Sequence, residues 1–330
     1  MAEIKPLAGM ERKKLKEAIP LRTPYAVYFF PTNLCNFMCR YCAHSGGLKN
    51  FEAEYGLKPE TMSFETFARA IDQIKDFKDR LKVINLSGQG EPLLNPAIAD
   101  MVRYAREADV VERIEIITNA SLLTNELSDR LIDAGLDCIR ISLQGMSDET
   151  YFNVCGKKVK VDSLFSNIEY FYRHKKQCQV YVKVMDVALR EGEEDLFYRT
   201  FDRISDRMYI EQCKPVYDSV EMTQDMRTDT DRYGRAHEPR QVCPLPFYML
   251  GILPDGTISP CETIYVPEIL GNVWKDELPQ VWNGDKMKLF QQMQLKKMRK
   301  DNPKCARCCA PDDVAHPDDD LDDVQDGIIV

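Results

Sequence analysis

Between residues 24 and 215 the chain alternates short segments rich in β-branched and aromatic residues with longer amphipathic ones. The strand candidates are Tyr25–Pro31, Lys82–Ser87, Arg113–Thr118, Cys138–Leu143, Val180–Val187 and Met208–Gln212. The helix candidates between and after them are Phe64–Leu81, Ala97–Glu107, Asn125–Ala134, Ser163–His174 and Glu194–Ile204. Strand and helix repeated at this spacing predict parallel βαβ units. Six such units predict an α/β fold with a partial (β/α)6 barrel rather than a closed eight-fold one. Parallel sheets place ligands at the carboxyl ends of their strands. Polar and glycine-rich residues gather at those ends, in Pro31–Cys42, Ser87–Pro92, Thr118–Ser121, Ser142–Gly145 and Gln212–Lys214.

Other segments flank this core. Residues 1–23 read as an N-terminal extension, charged and without the apolar core of a signal peptide. Residues 216–240 are polar and read as a linker or a substrate-facing loop. Residues 241–310 form a cysteine-bearing unit, with a hairpin over Tyr248–Pro260 turning at Pro254-Asp255-Gly256 and a helix over Leu278–Lys300. Residues 311–330 carry eight aspartates and neither Lys nor Arg, which predicts a solvated, disordered tail. The formal net charge of −9 argues against nucleic acid as a partner, because phosphate backbones attract basic surfaces. No apolar run reaches the roughly 18 residues of a membrane span, and a cytoplasmic location is expected.

A reducing cytosol leaves most of the 12 cysteines without disulfide partners, so those that cluster point to metal. One cluster is Cys35-x3-Cys39-x2-Cys42. The other comprises Cys243, Cys261, Cys305, Cys308 and Cys309. Cys138, Cys155, Cys178 and Cys213 are scattered and read as small buried hydrophobes. Three thiolates on one short loop suit a [4Fe–4S] cube with one iron left open. A zinc site with His44 as fourth ligand is the alternative.

The Cys-x3-Cys-x-aromatic-Cys pattern, with Tyr41 at the aromatic position, resembles the signature of the radical S-adenosylmethionine (SAM) enzymes. The resemblance covers residues 24–215. It implies that the open iron binds SAM and that one electron cleaves SAM to methionine and a 5′-deoxyadenosyl radical. That radical would abstract a hydrogen atom from the substrate. An electron donor such as flavodoxin or ferredoxin is implied with it. Ser87-Gly88-Gln89-Gly90-Glu91-Pro92 resembles the segment that holds the SAM amino group, which assigns Gly88, Gly90 and Glu91 to SAM; Gln89 departs from the usual Gly-Gly-Glu. Asn119 and Ser142 match positions near SAM, and Lys183 is a weaker match. Adenine contacts would come from the backbone around Tyr41 and from Tyr209–Glu211.

Four thiolates at Cys243, Cys261, Cys305 and Cys308 suit a fully ligated [4Fe–4S] cluster or a structural zinc. The Cys-x12-Gly-x4-Cys element, Asn272, Trp274 and Val281-Trp282-Asn283-Gly284 resemble the SPASM/twitch extensions of radical SAM enzymes. The single Cys-x2-Cys pair favours the twitch form with one auxiliary cluster. Cys309 is spare or replaces Cys308. A chain end without two glycines, and four cysteines rather than three, set it apart from the GTP cyclase of molybdenum-cofactor synthesis. The nearer resemblance is to the aminocyclitol dehydrogenase type. The expected reaction is therefore hydrogen abstraction from a carbohydrate-like or aminocyclitol-like small molecule, giving dehydrogenation or epimerisation. Cys213, at the end of the sixth strand, is the candidate hydrogen-atom donor for epimerisation. Arg140, Arg173, His174, Arg190 and Lys214 are candidate contacts for an anionic substrate. Peptide modification is a second reading, against which the 34 residues before Cys35 are too few for a leader-binding domain. A non-catalytic iron–sulfur or zinc protein is a third.

Overall fold

The computed structural model describes residues 1–6, 13–214, 216–217, 230–236, 238–313, 316–325 and 327. Its strands are β1 (Glu3–Ile4), β2 (Ala26–Phe29), β3 (Leu81–Leu86), β4 (Val111–Thr118), β5 (Cys138–Leu143), β6 (Gln179–Met185) and β7 (Arg207–Glu211), then β8 (Met249–Ile252), β9 (Thr257–Ser259) and β10 (Gly271–Asn272). They form one sheet in the order β1-β7-β6-β5-β4-β3-β2-β8-β9-β10. Every pairing from β1 through β8 is parallel, and only β8–β9 and β9–β10 are antiparallel. The six strands read from the sequence are β2 to β7. The sheet is not closed by hydrogen bonds.

The helices are α1 (Leu15–Ala18), α2 (Gly47–Tyr55), α3 (Phe64–Ile74), α4 (Ile98–Glu107), α5 (Asn125–Asp133), α6 (Asp148–Cys155), α7 (Val161–His174), α8 (Glu193–Phe201), α9 (Leu278–Trp282), α10 (Asp285–Leu295), α11 (Pro303–Arg307) and α12 (Ala310–Asp313). Hydroxyl caps fix where several of them start. Ser63 accepts from Thr66 N, Thr124 from Leu127 N and Ser147 from Thr150 N.

Period-two alternation divides the sheet into two faces. Val27, Phe29, Ile84, Leu86, Ile114, Ile116, Ile139, Ile141, Val180 and Val182 bury one face against Phe67, Ile71, Val102, Leu131, Leu164 and Phe197 of the helices. Tyr28, Asn85, Glu115, Arg140, Lys183 and Tyr209 take the other face; Tyr28, Asn85 and Glu115 are in register, as are Lys183 and Tyr209, with Arg140 two residues further along β5 than the partner of Glu115. The apolar face holds the fold together. The polar face lines the interior of the partial barrel.

Several sequence expectations are corrected. The helix expected over Leu278–Lys300 is two, because Gly284 is extended (φ −81°, ψ 166°) between α9 and α10. The helix expected over Phe64–Leu81 ends at Ile74, and Leu81 already opens β3. The strand expected to run to Val187 stops at Met185, where the Asp186 carboxylate accepts from the backbone N–H groups of Val187 and Cys213, each at 2.8 Å. The acidic tail is packed where it is described. Leu321 is fully buried with Leu15, Ile19, Val242, Phe247 and Leu295, and Asp322 accepts from the backbone of Gln241 and Val242. Leu321, with the partly buried Val324 packed against the same cluster, and specific carboxylate bonds override the like-charge repulsion that the composition suggests. Of the 216–240 segment, residues 218–229 and 237 lie outside the described residues. The described part bridges Thr230 to Ala236 and sends Arg232 into the interior.

Candidate active site and metal centres

The loop after β2 carries Cys35, Cys39 and Cys42. It is tied down around Cys39, at its middle. Met38 N and Arg40 N donate to the carbonyls of Cys155 and Val154 at the end of α6, both at 3.0 Å. Arg40 reaches across to Val187 O at 2.6 Å. Burial pushes the Cys35 thiol up to about 12 and drives Cys39 well above its ordinary range, with neighbouring thiols adding to both. Thiols held this firmly protonated bind iron only with loss of their protons. His44 is not poised as a fourth ligand. Its Nε2 lies 2.6 Å from Gln89 O, its ring stacks on Phe51 at 4.4 Å, and burial keeps it neutral. The donor set is three thiols on one loop, which fits a cluster that keeps one iron free of protein ligands.

The segment after β3 packs directly under that loop. Glu91 N donates to Leu34 O at 2.8 Å. A Cβ at Gly90 would strike the carbonyl oxygens of Leu34 and Thr32, the latter at 2.6 Å. Gly88 has φ +126°, and a Cβ there would enter the Phe30 ring. Both glycines are thus required by close backbone approach. Between them, the buried Gln89 amide finds no hydrogen-bond partner among the described residues.

Other residues assigned to SAM are committed to the protein. The buried Glu91 carboxylate accepts from Thr118 Oγ1 (2.6 Å), Asn119 N (2.8 Å) and Leu93 N (3.0 Å), and burial raises it to about 7. It binds the β3 and β4 loops together rather than presenting a free carboxylate. The Asn119 amide donates to Asn36 Oδ1 at 2.9 Å and accepts from Ser121. It orders the cysteine loop from the β4 side. Lys183 Nζ sits 2.7 Å from Glu211 Oε2 in the buried interior. Ser142 is half-buried at the end of β5, beside Lys183 on the polar face. Tyr41 is largely buried against Cys213, Met185 and Tyr217.

The interior is a network of paired charges. Glu115 meets Arg113 at 2.6 Å and Arg140 at 3.9 Å. Glu211 takes Lys183 and, at 3.8 Å, Arg232, which also pairs with Asp313 of α12. The fields of these partners hold the buried Glu211 carboxyl below its usual range, against the desolvation that opposes it. Glu262, next to Cys261, lies among Tyr28, Arg140 and Arg232. The network therefore runs from the barrel strands to the cysteine-bearing unit. Among the residues considered for an anionic substrate, Arg140 and Lys214 lie inside, bound to Glu115 and Thr230. Arg173, His174 and Arg190 do not: they engage Glu169, Tyr170 O and Glu149 on the surface.

Four of the C-terminal cysteines come together. Cys243, Cys261, Cys305 and Cys308 line one cavity with Thr263, Gln294 and Arg299. They surround a space rather than close on a point: among the described residues no three His, Cys, Asp or Glu side chains converge on a single ion. A cavity walled by four thiols fits a polynuclear cluster. Arg299 Nη1 donates to Cys305 O (3.0 Å) and Cys308 O (2.8 Å), fixing the Cys-x2-Cys turn. Ala310 N points at Cys308 Sγ from 3.5 Å and Thr263 Oγ1 lies 3.4 Å from Cys261 Sγ, contacts that suit sulfurs carrying charge. Cys309 faces away, its thiol toward Val216 O at 3.8 Å. Cys308→Ser is accordingly expected to lower iron content by up to about four per chain, whereas Cys309→Ser leaves it unchanged. Iron and sulfide assays after anaerobic reconstitution decide it, and the opposite pattern would make Cys309 the ligand.

The family model described as the radical SAM superfamily matches residues 29–197, and one described as an iron–sulfur cluster-binding domain (SPASM) matches residues 243–309. Among curated proteins, a GTP 3′,8-cyclase of Crocosphaera subtropica is 32% identical over 124 residues, which is 38% of this chain and 35% of that protein. The chain thus spans about a third of the length of that relative. Among solved structures, BtrN in complex with AdoMet and 2-DOIA aligns over 86% of this chain and 92% of its own (TM-score 0.55, 16% identity). Streptococcus suis SuiB bound to precursor peptide SuiA aligns over 83% and 68% (TM-score 0.60, 16% identity).

Proposed function

The chain belongs to the radical SAM superfamily, and from that premise we propose that it removes a hydrogen atom from a polar, carbohydrate-like or aminocyclitol-like small molecule and oxidises a secondary alcohol. The observation that carries this reading is the charged interior between the two cysteine sites, running through Lys183, Glu211, Arg232 and Asp313. Its acids and bases are paired with one another, so it offers many hydrogen-bonding groups and little net charge. That suits a polyhydroxylated molecule. The near-complete alignment with the chain of BtrN, whose complex contains 2-DOIA, supports the same class.

Cys35, Cys39 and Cys42 would hold the SAM-binding [4Fe–4S] cluster; Cys243, Cys261, Cys305 and Cys308 the auxiliary one. When bound, cluster and SAM supply the one-electron chemistry that takes hydrogen from a C–H bond. The protein orients the substrate from the polar face of β5 to β7 and shields the site with Tyr41, Met185 and Tyr217. A secondary alcohol that has lost its C–H hydrogen becomes a ketone by losing one proton and one electron. Glu262, beside Tyr28, is the carboxylate placed to take the proton. Cys261, the residue immediately before it, lines the four-thiol cavity, the seat of an electron acceptor.

Cys213 bears on the epimerisation variant. It is buried, and burial pushes its thiol up to about 12, which keeps the S–H bond a hydrogen-atom donor needs. The test is to incubate reconstituted protein with SAM, dithionite and ring-deuterated sugars or aminocyclitols. Deuterium in 5′-deoxyadenosine and a product three mass units lighter than the deuterated substrate are expected. Cys213→Ala leaves ketone formation intact, but abolishes product if the thiol returns hydrogen for epimerisation. Deuterium transfer from peptides alone would sink the small-molecule reading.

A further inference from the structure

The chain leaving α10 turns back sharply. Lys297 is left-handed (φ +61°). Its N–H donates to Gln294 O at 2.8 Å, and Met298 N donates to Met293 O at 3.1 Å, the paired bonds of a Schellman motif. The turn delivers Arg299 to the wall of the four-thiol cavity. The side chain is buried there (8% exposed), with Nη1 on the carbonyls of Cys305 and Cys308. Gln294 arrives from the last turn of α10. Its Oε1 accepts from Cys243 N at 3.3 Å, and its Nε2 lies 3.9 Å from Cys305 Sγ. Lys304 lines the same cavity and donates to Val266 O at 2.9 Å.

Arg140 and Lys183, buried to a similar degree in the barrel interior, each face a glutamate. Arg299 does not. Among the described residues it forms no ion pair, and neither Asp nor Glu lines the cavity. A guanidinium cannot shed its charge by losing a proton. A buried charge without a counter-charge is costly, so buried cations are paired or sit beside a metal site. The anion that matches Arg299 therefore belongs to what the four thiols hold. A [4Fe–4S] centre with four thiolates is a net anion, and it gains one more negative charge on reduction. A cation fixed beside such a centre does more than neutralise it: it favours the reduced state over the oxidised one.

We propose that Arg299, together with Lys304, supplies the positive charge that sets the reduction potential of the auxiliary centre high enough to accept an electron from the substrate radical. Net charge and hydrogen bonds to the sulfurs are the levers that tune such potentials. Arg299 acts on the first, and the Gln294 N–H directed at Cys305 Sγ acts on the second, in the same direction. In the step served, the substrate radical loses one proton and one electron and becomes a ketone, while the centre is reduced by one electron. Arg299 touches no reacting atom; it is a positioning residue that works through the centre. The role presupposes the reading above, in which the four-thiol cavity seats the electron acceptor.

The test uses the full chain with Cys35, Cys39 and Cys42 changed to Ala, reconstituted so that only the auxiliary centre is present. Its reduction is followed by EPR in a potentiometric titration, beside an iron assay. Arg299→Gln is expected to keep about four irons and to take up the electron about tenfold less readily, a midpoint about 59 mV more negative. Arg299→Lys keeps the charge and should stay near the parent. Lys304→Gln should shift the midpoint in the same direction as Arg299→Gln, by less. A parental midpoint in Arg299→Gln overturns the proposal. So does an equal shift in Arg299→Lys, because geometry rather than charge would then matter. If Arg299→Gln loses its iron, Lys304→Gln decides, since it leaves the bonds from Arg299 to Cys305 and Cys308 in place: a negative shift supports the proposal and an unchanged midpoint overturns it. A centre that takes up no electron, as zinc would not, also overturns it. Substrate is absent throughout, so failure to oxidise sugars or cyclitols sinks the small-molecule reading alone and leaves the midpoints standing.

Discussion

A chain in which Cys35, Cys39 and Cys42 are all alanine is expected to bind about four irons where the parent binds about eight, and to form no 5′-deoxyadenosine. These three thiols share one loop at the end of β2, while the other four line a separate cavity in the C-terminal unit. Losing the first set leaves the walls of the second untouched, so half of the iron should survive. The fold should survive too, since the loop is also held by backbone bonds to Cys155 and Val154 that alanine keeps. Iron and sulfide analysis beside product chromatography reads both effects. Retention of all the iron would mean that the first loop is not a cluster site. Retained 5′-deoxyadenosine formation would remove it from the chemistry.

Gly90→Ala should do comparable damage without touching a ligand. The added methyl would meet two carbonyl oxygens of the cysteine loop, and neither is the movable end of a flexible side chain. Overpacking in a filled site costs about 1–3 kcal/mol. Here the strain falls on Thr32 to Leu34, immediately before Cys35. We expect a lowered melting temperature in the apoprotein and loss of the first cluster's share of iron. The auxiliary share should remain. Full iron content with unchanged melting would show that the loop can retreat at no cost.

The parallel core was readable because its strands alternate so regularly. Each of β2 to β7 presents apolar residues to the helices and polar ones to the interior, and local period alone reveals them. Both cysteine groups were readable from spacing. Spacing does not separate Cys308 from Cys309, because adjacent residues differ only in direction, which the α11–α12 turn sets. The roles of Glu91 and Asn119 were also hidden. Their partners Thr118, Asn119 N and Asn36 come from other loops, and a motif cannot show which of its polar groups are already engaged. The fate of the acidic tail was decided by Leu321, whose pocket is assembled from α1, α10 and residues 242–247. Composition averages over such a residue.

The pairing of β8 with β2 carries a further consequence. In the intact chain Ala26–Phe29 is an interior strand, bonded to β3 on one side and to β8 on the other. Severing the chain before Met249 would turn it into a bare edge, with unmet amide and carbonyl groups beside the loop that carries Cys35, Cys39 and Cys42. Exposed edges of this kind recruit strands from other molecules. The C-terminal unit is thus not a detachable accessory: it seals the flank of the catalytic barrel, and an isolated barrel would be prone to self-association.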